Sequence, residues 1–419
     1  MTLTVHTAPV VLPVTGAPIR DGAVVVQDGR IAWVGSLRDW VAGAGDRAEE
    51  RVDWSGLLAP GLVNAHAHLQ YSAYADMCVP GVDFLEWISA YLPRNRTMTG
   101  AQWRQSTESG VAALLRTGTT AVADVVAVPE AIDAVGAAGL AGVSYAEAVG
   151  ADDERWPQVR ARLLSLVAGS GVRTRTLGVS PHTLYTLGTE VIRDCARLAR
   201  ERGLRLHPHA AESPYEVEYV ASGTGPFAAA NQRWGLAMEL LAAGGSRRTP
   251  VAELGTLGVL GPDAHVAHGV HCDAADRAAL RAAGSVVALC PRSNATLGVG
   301  QAPVAAYRAE GNAVAVGTDS LASAPSLDLL ADVSALRHLA LAQGSPAAGL
   351  DRWLVEAATL GGARALGLSD AGSLRPGARA DFAVFDVDGR RDPYAALVGA
   401  AGRCAGTVLA GRIVHCEQM

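Results

Sequence analysis

The stretch Leu57-Leu58-Ala59-Pro60-Gly61-Leu62-Val63-Asn64-Ala65-His66-Ala67-His68 decides the fold. Its apolar part, Leu57 to Val63, reads as one buried strand. His66 and His68 stand two residues apart, and on a strand such residues point to the same face. Neutral imidazole is a ligand for zinc and other borderline metals. A lone His-x-His arises often by chance, so its meaning rests on what the rest of the chain supplies.

Upstream, residues Val5 to Trp54 are β-like. Ala23–Gln27 and Arg30–Gly35 flank Asp28-Gly29, a strong two-residue hairpin pattern. From Leu58 onward, short apolar runs alternate with Ala-, Leu- and Arg-rich helical segments, the pattern of βα units and a parallel sheet. Strands are expected near Leu58–His66, Thr120–Val126, Ala141–Tyr145, Thr176–Ser180, Leu204–His209, Ala264–His268, Ser285–Cys290 and Ala313–Gly317. Eight is the number that closes a (β/α)8 barrel. Near Gly372 the alternation ends. Ala380–Asp386 and Gly406–Val414 are β-like again, and the two chain ends are expected to pack as one small β-sandwich. The predicted class is α/β, with residues 57–368 the barrel and residues 1–56 and 369–419 the two parts of the sandwich.

The chain has 419 residues, 49% of them hydrophobic and 18% charged, enough for a large core. The net charge of −6 and the lack of a basic tract exclude nucleic acid and an anionic membrane as partners. No apolar run reaches membrane-spanning length, and the opening residues lack the layout of a secretory signal. The expected location is the cytoplasm. Six scattered cysteines fit reduced thiols. All 35 basic residues are arginine. Schiff-base chemistry, a phosphate-loop lysine and a carbamylated-lysine metal bridge are therefore excluded.

Barrel chemistry gathers at the C-terminal ends of strands. There the sequence places His66 and His68, then Ser180-Pro181-His182, then His207-Pro208-His209-Ala210-Ala211-Glu212. His268, Cys290-Pro291-Arg292-Ser293-Asn294 and Gly317-Thr318-Asp319-Ser320 follow. Their shared placement at one face points to a metal site. His66, His68, His209 and Asp319 supply three nitrogens and one carboxylate, enough for a catalytic metal with an open position. Such a metal brings the pKa of its water towards ~7, and Asp319 can take the proton. Glu212 is placed to pass a proton to substrate, and His268 to steady charge on the attacking oxygen. His207 is expected to be a supporting residue, and His271 an outer-loop residue.

Taken together, these motifs resemble the amidohydrolase superfamily, in its deaminase and chlorohydrolase branch. They include Asp21–Val26 with Gly29-Arg30-Ile31, Pro60–His68, His209–Glu212, Ala267–Val270, Gly317–Ser320 and Gly372–Asp381. The resemblance implies a distorted TIM barrel with a composite β-sandwich and one divalent metal, zinc or iron. It puts the ligands on His66, His68, His209 and Asp319, the proton shuttle on Glu212 and the second catalytic histidine on His268. It also implies a soluble homodimer acting on a small purine nucleoside.

Within that branch, Cys290–Asn294, Leu297–Gly300, Gly317–Ser323 and Phe84-Leu85-Glu86-Trp87 are most similar to aminodeoxyfutalosine deaminases. Deaminases of adenosine, S-adenosylhomocysteine and methylthioadenosine are the nearest competitors. Many of them carry a ribose-binding glutamate where this chain reads Tyr91-Leu92-Pro93-Arg94-Asn95-Arg96. The resemblance therefore implies substrate contacts from Trp87, Arg94, Arg96, His182, Arg292, Ser293 and Asn294. An arginine among Arg94, Arg96 and Arg292 is expected to pair with a substrate carboxylate in a bidentate fork. Ser213–Arg248 is expected to be a second lid. The competing readings are a hydrolase of an aryl chloride or cyclic amide on the same metal site, and a barrel scaffold without chemistry.

Overall fold

The computed structural model describes residues 3–44, 49–169 and 175–417. The chain begins with β1 (Leu3–Val11), β2 (Ile19–Gln27), β3 (Arg30–Ser36), β4 (Glu50–Asp53) and β5 (Leu57–Pro60). Asp28 and Gly29 turn the β2–β3 hairpin with φ of 50° and 75°. Both left-handed conformations match the twist of the flanking strands. Val24 and Val26 face one core, while Ala23 and Val25 face Trp33 and Trp40 on the opposite side. That second side is covered by a helix, Leu37–Ala44, which the sequence pattern did not announce.

The expectation of a single strand from Leu57 to Val63 is corrected. Gly61 cuts the run: β5 pairs with β1, whereas β6 (Leu62–Ala67) starts the barrel. A Cβ on Gly61 would lie 2.0 Å from Thr120 Oγ1, so only glycine fits this crossing. Its N–H donates to the Asp381 carbonyl.

The barrel continues with β7 (Thr119–Val126), β8 (Ala141–Ala148), β9 (Thr176–Pro181), β10 (Arg205–Leu206), β11 (His209–Ala210), β12 (His265–His268), β13 (Val286–Leu289) and β14 (Val314–Val316). β6 to β10 form one parallel run and β11 to β14 another. The fifth barrel position is broken at His207-Pro208, where proline lacks the N–H a ladder needs. The two halves join there: Leu206 N donates to Asp263 O, and Ala267 N to Pro208 O. At the other seam the His66 carbonyl accepts from the N–H groups of Thr318 and Asp319. The result is a distorted (β/α)8 barrel.

After the barrel the chain returns to the first sheet as β15 (Phe382–Phe385), β16 (Cys404–Leu409) and β17 (Arg412–Cys416). β15 pairs with β5, so both chain ends form one mixed sheet in the order β17-β16-β15-β5-β1-β2-β3, with β4 on β1. Val11, Val24, Ile31, Trp54, Phe382 and Val408 share its core. Among the described residues no helix is long and apolar enough to cross a membrane.

Candidate active site

His66 is the buried centre of the site. Its Nδ1 lies 2.8 Å from His207 Nε2, and His207 Nδ1 lies 3.0 Å from the His265 carbonyl. A carbonyl only accepts, so His207 carries its proton on Nδ1 and its Nε2 accepts from His66 Nδ1–H. The lone pair of His66 is thereby on Nε2, which is buried and has no hydrogen-bond partner among the described residues. His209 Nδ1 donates to the His182 carbonyl at 3.2 Å, which turns its Nε2 inward as well.

These inward atoms converge. His68 Nε2 is 3.3 Å from His209 Nε2, and Asp319 Oδ1 is 3.6 Å from His66 Nε2 and 3.9 Å from His68 Nε2. Metal–nitrogen bonds of about 2.0–2.1 Å place tetrahedral ligands roughly 3.3–3.4 Å apart, so the spacing suits one cation. Asp319 is aimed by its neighbours. Its Oδ2 accepts from Ser293 Oγ at 2.6 Å and Ser323 Oγ at 3.0 Å, and its Oδ1 accepts from Ser320 N–H at 2.7 Å. Gly317 lets the strand approach, since a Cβ there would lie 2.7 Å from His66 Cβ.

Electrostatics agree with a cradle of neutral ligands. Burial first, and neighbouring histidines second, hold His66 and His209 well below the ordinary imidazole range. Burial brings His68 down to about 4, against the pull of Asp319. An orphaned buried nitrogen, neutral imidazoles and one oriented carboxylate fit a divalent metal.

Across from this cradle, His268 Nε2 is 3.6 Å from Glu212 Oε1, and His268 Nδ1 is 2.9 Å from Asn294 Oδ1. Burial, reinforced by the Asp319 charge, pushes the Glu212 carboxyl well above its usual range. Glu212 N–H is anchored on the buried Glu216 carboxylate at 2.8 Å. Ala211, His268 and Asp319 have φ of 52°, 73° and 62°. Non-glycine residues seldom adopt such values, and here they cluster where the site demands it.

A cavity of about 460 Å³ opens over these groups, within the size range of small-molecule sites. Trp87, Arg96 and His182 are among the residues that line it. Trp87 hangs on the helix Phe84–Asn95 and donates from Nε1 to the Ala322 carbonyl. The segment after Glu212 is helical over Pro214–Ser222 and Gly225–Trp234 and contributes Arg233 and Trp234 to the wall.

Four expected substrate contacts are corrected. Arg94 does not reach the cavity; both its bonds to Asp76, at 2.8 and 2.9 Å, hold it over the Tyr74 ring. Arg292 is tied at 2.9 Å to the buried Asp332 and to the carbonyls of Ser326 and Asp328. Ser293 and Asn294 spend their side chains on Asp319 and His268. His271 bonds the Val299 carbonyl and stays outside the site.

Three residues went unnoticed in the sequence. Arg155 and Arg233 line the same cavity as Arg96, with one guanidinium nitrogen of Arg155 donating to the Trp234 and Gly235 carbonyls; nothing in their local sequence marks them. Glu147 also lines the cavity. It was missed because the strand was expected to stop at Tyr145, whereas β8 runs to Ala148. Alternation along the longer strand would have pointed Glu147 inward.

The comparisons agree with this geometry. Residues 57–414 match the amidohydrolase family. The chain belongs to that family. It is 35% identical to a 5-methylthioadenosine/S-adenosylhomocysteine deaminase of Halobacterium salinarum, over 88% of this chain and 81% of the relative. It is 34% identical to an aminodeoxyfutalosine deaminase of Deinococcus radiodurans, over 83% of this chain and 81% of the relative. An adenosine deaminase from Xanthomonas campestris, crystallised with bound zinc, shares the fold with a TM-score of 0.81. It is 24% identical, covering 99% of this chain and 93% of that one.

Proposed function

We propose that this protein is a hydrolytic deaminase of adenine nucleosides, and that 6-amino-6-deoxyfutalosine is its substrate, converted to futalosine and ammonia on a route to menaquinone. The observation that carries the chemistry is the buried Glu212 carboxyl, pushed towards its protonated form and facing His268 across from the His66/His68/His209/Asp319 cradle. A divalent metal held by those four residues, zinc on the family's precedent, would supply Lewis acidity to the attacking water.

In this reading Asp319 takes a proton from that water, and its serine contacts keep the carboxylate aimed while it does so. Glu212 donates its proton to the ring nitrogen beside the attacked carbon. His268, held by Asn294, bonds the incoming oxygen and steadies its charge. A proton delivered to the exocyclic nitrogen lets ammonia leave. Trp87 and His182 hold the base and sugar.

The substrate's tail is read from the cavity's arginines. Arg96, Arg155 and Arg233 are exposed cations on one cavity, and guanidinium suits a carboxylate. The benzoate of aminodeoxyfutalosine meets that demand. S-adenosylhomocysteine also carries a carboxylate, and the Halobacterium relative favours it as the second reading. Ammonia release from the zinc-loaded protein with aminodeoxyfutalosine, S-adenosylhomocysteine and adenosine decides between them. Preference for the first supports the proposal, and preference for another nucleoside moves the protein to purine or methyl-cycle salvage. Ammonia from none overturns the deaminase reading. Glu212→Gln should lower kcat by roughly 10²–10⁴-fold while metal binding persists.

A further inference from the structure

Among the described residues three carboxyls line the cavity: Glu147, Glu212 and Asp319. The proposed chemistry uses two of them and leaves Glu147 idle. Glu147 stands two residues after Tyr145 on β8, so both point into the barrel; the Tyr145 ring lies 5.1 Å from that of His207. The residue is half-buried and opens on the cavity, yet its Oε1 is sealed from solvent and has no hydrogen-bond partner among the described residues. Among the described residues no arginine forms an ion pair with it. A buried carboxyl oxygen without a donor is unfavourable, so the site calls for a donor brought by the ligand.

The surroundings define that donor. One ligand-type atom each of Glu147, His182 and His209 lies within 4.8 Å of the others. A cation on these three is disfavoured, because His209 Nε2 has one lone pair and it is turned towards His68 Nε2, 3.3 Å away. Hydrogen-bond donors of an organic ligand remain, and a nucleoside's sugar brings hydroxyls. Two carboxylate oxygens accept from two adjacent O–H groups, the arrangement a cis-diol offers. The position agrees: Glu147, His182 and His209 line the same cavity as Glu212 and His268, so a nucleoside with its reacting edge at the last two keeps its sugar in reach of the first three. The helix Phe84–Asn95 adds Trp87 and Tyr91 to the same wall. That helix itself puts no carboxylate into the cavity. His182 Nδ1 is engaged by the Thr186 hydroxyl at 2.9 Å, which leaves Nε2 for the ligand.

We infer that Glu147, with His182 beside it, binds the 2′,3′-diol of a ribonucleoside and selects ribose over 2′-deoxyribose. This rests on the deaminase reading above. The test compares adenosine with 2′-deoxyadenosine on the zinc-loaded wild type, Glu147→Gln and Glu147→Ala, by ammonia release. Binding of inosine and 2′-deoxyinosine is measured alongside. The wild type should prefer the ribonucleoside by about 10-fold or more. Glu147→Ala should bring that ratio close to one, mainly through KM and Kd, with one metal still bound per chain. Glu147→Gln keeps an acceptor and the side-chain shape, so it should fall in between and decides the matter if the alanine variant does not fold. An unchanged ratio in either folded variant overturns the inference while leaving the deaminase standing. Two metal ions per wild-type chain, falling to one in the variants, overturns it in favour of a cation site. No ammonia from adenosine, 2′-deoxyadenosine or aminodeoxyfutalosine with the wild type overturns the deaminase reading, and the diol subsite falls with it; where aminodeoxyfutalosine alone reacts, the ratio of inosine to 2′-deoxyinosine Kd decides.

Discussion

His66 Nδ1 and His207 Nε2 meet at 2.8 Å inside the barrel, and this bond decides which nitrogen of His66 faces the cradle. Groups that orient a metal-binding histidine commonly change affinity 10–100-fold when removed. His207→Leu should therefore weaken zinc binding by about that factor. His207→Gln retains an acceptor for His66 Nδ1–H and should stay close to wild type. Chelator competition measures both, with circular dichroism confirming the fold. Equal affinity in the leucine variant would show that His66 needs no such partner.

Asn294 acts on His268 as His207 does on His66. Its Oδ1 fixes the Nδ1–H of His268, leaving Nε2 towards Glu212. Asn294→Leu should reduce kcat by roughly 10–100-fold with KM little altered, because the residue contacts histidine rather than cavity. Steady-state kinetics separate the two parameters.

The arginines should divide by location. Arg94 makes an exposed pair with Asp76, so Arg94→Ala should change stability by less than about 1 kcal/mol and leave KM alone. Arg292→Ala strands the fully buried Asp332 carboxylate and should cost about 3–5 kcal/mol. Arg155→Ala and Arg233→Ala should instead raise KM for carboxylate-bearing nucleosides far more than for adenosine. Denaturant melts and paired kinetics test all four variants.

Acid should weaken the sheet built from the chain ends. His6 is buried, and its Nδ1 accepts from Trp54 Nε1–H at 3.2 Å. Burial lowers its pKa from 6.5 to about 4. The unfolded chain binds a proton below pH 6.5 while the folded one resists until about 4. Stability from this group is thus complete above pH 6.5 and lost as pH falls to 4, by about 3 kcal/mol. His6→Gln keeps an acceptor but cannot titrate. Its unfolding free energy should fall less steeply over that window, a difference read from denaturant titrations at several pH values.

The placement of His66, His68, His209 and Asp319 was legible because barrel strands deliver polar residues to one end. The broad βα rhythm was legible for the same reason of period. Other features were not. The run Leu57–Val63 is apolar throughout, and nothing in it tells which half pairs with β15, more than 300 residues away. Arg94 and Arg292 each carry a charge, but a charge does not announce whether it will meet a substrate or Asp76 and Asp332. Glu147 was hidden by a strand end placed three residues early.

The pairing of β5 with β15 also sets an order of events as the chain is made. β5 has β1 on one side from the start, but its other edge waits for a strand about 320 residues later. At roughly 5–20 residues per second of synthesis, that edge stays open for about 15–65 seconds. It adjoins, across Gly61, the strand that carries His66. A nascent chain must therefore shield an apolar, unpaired edge beside its future catalytic strand. Crowding of ribosomes on one message, or a slow codon late in the gene, would lengthen that exposure and favour association between neighbouring nascent chains.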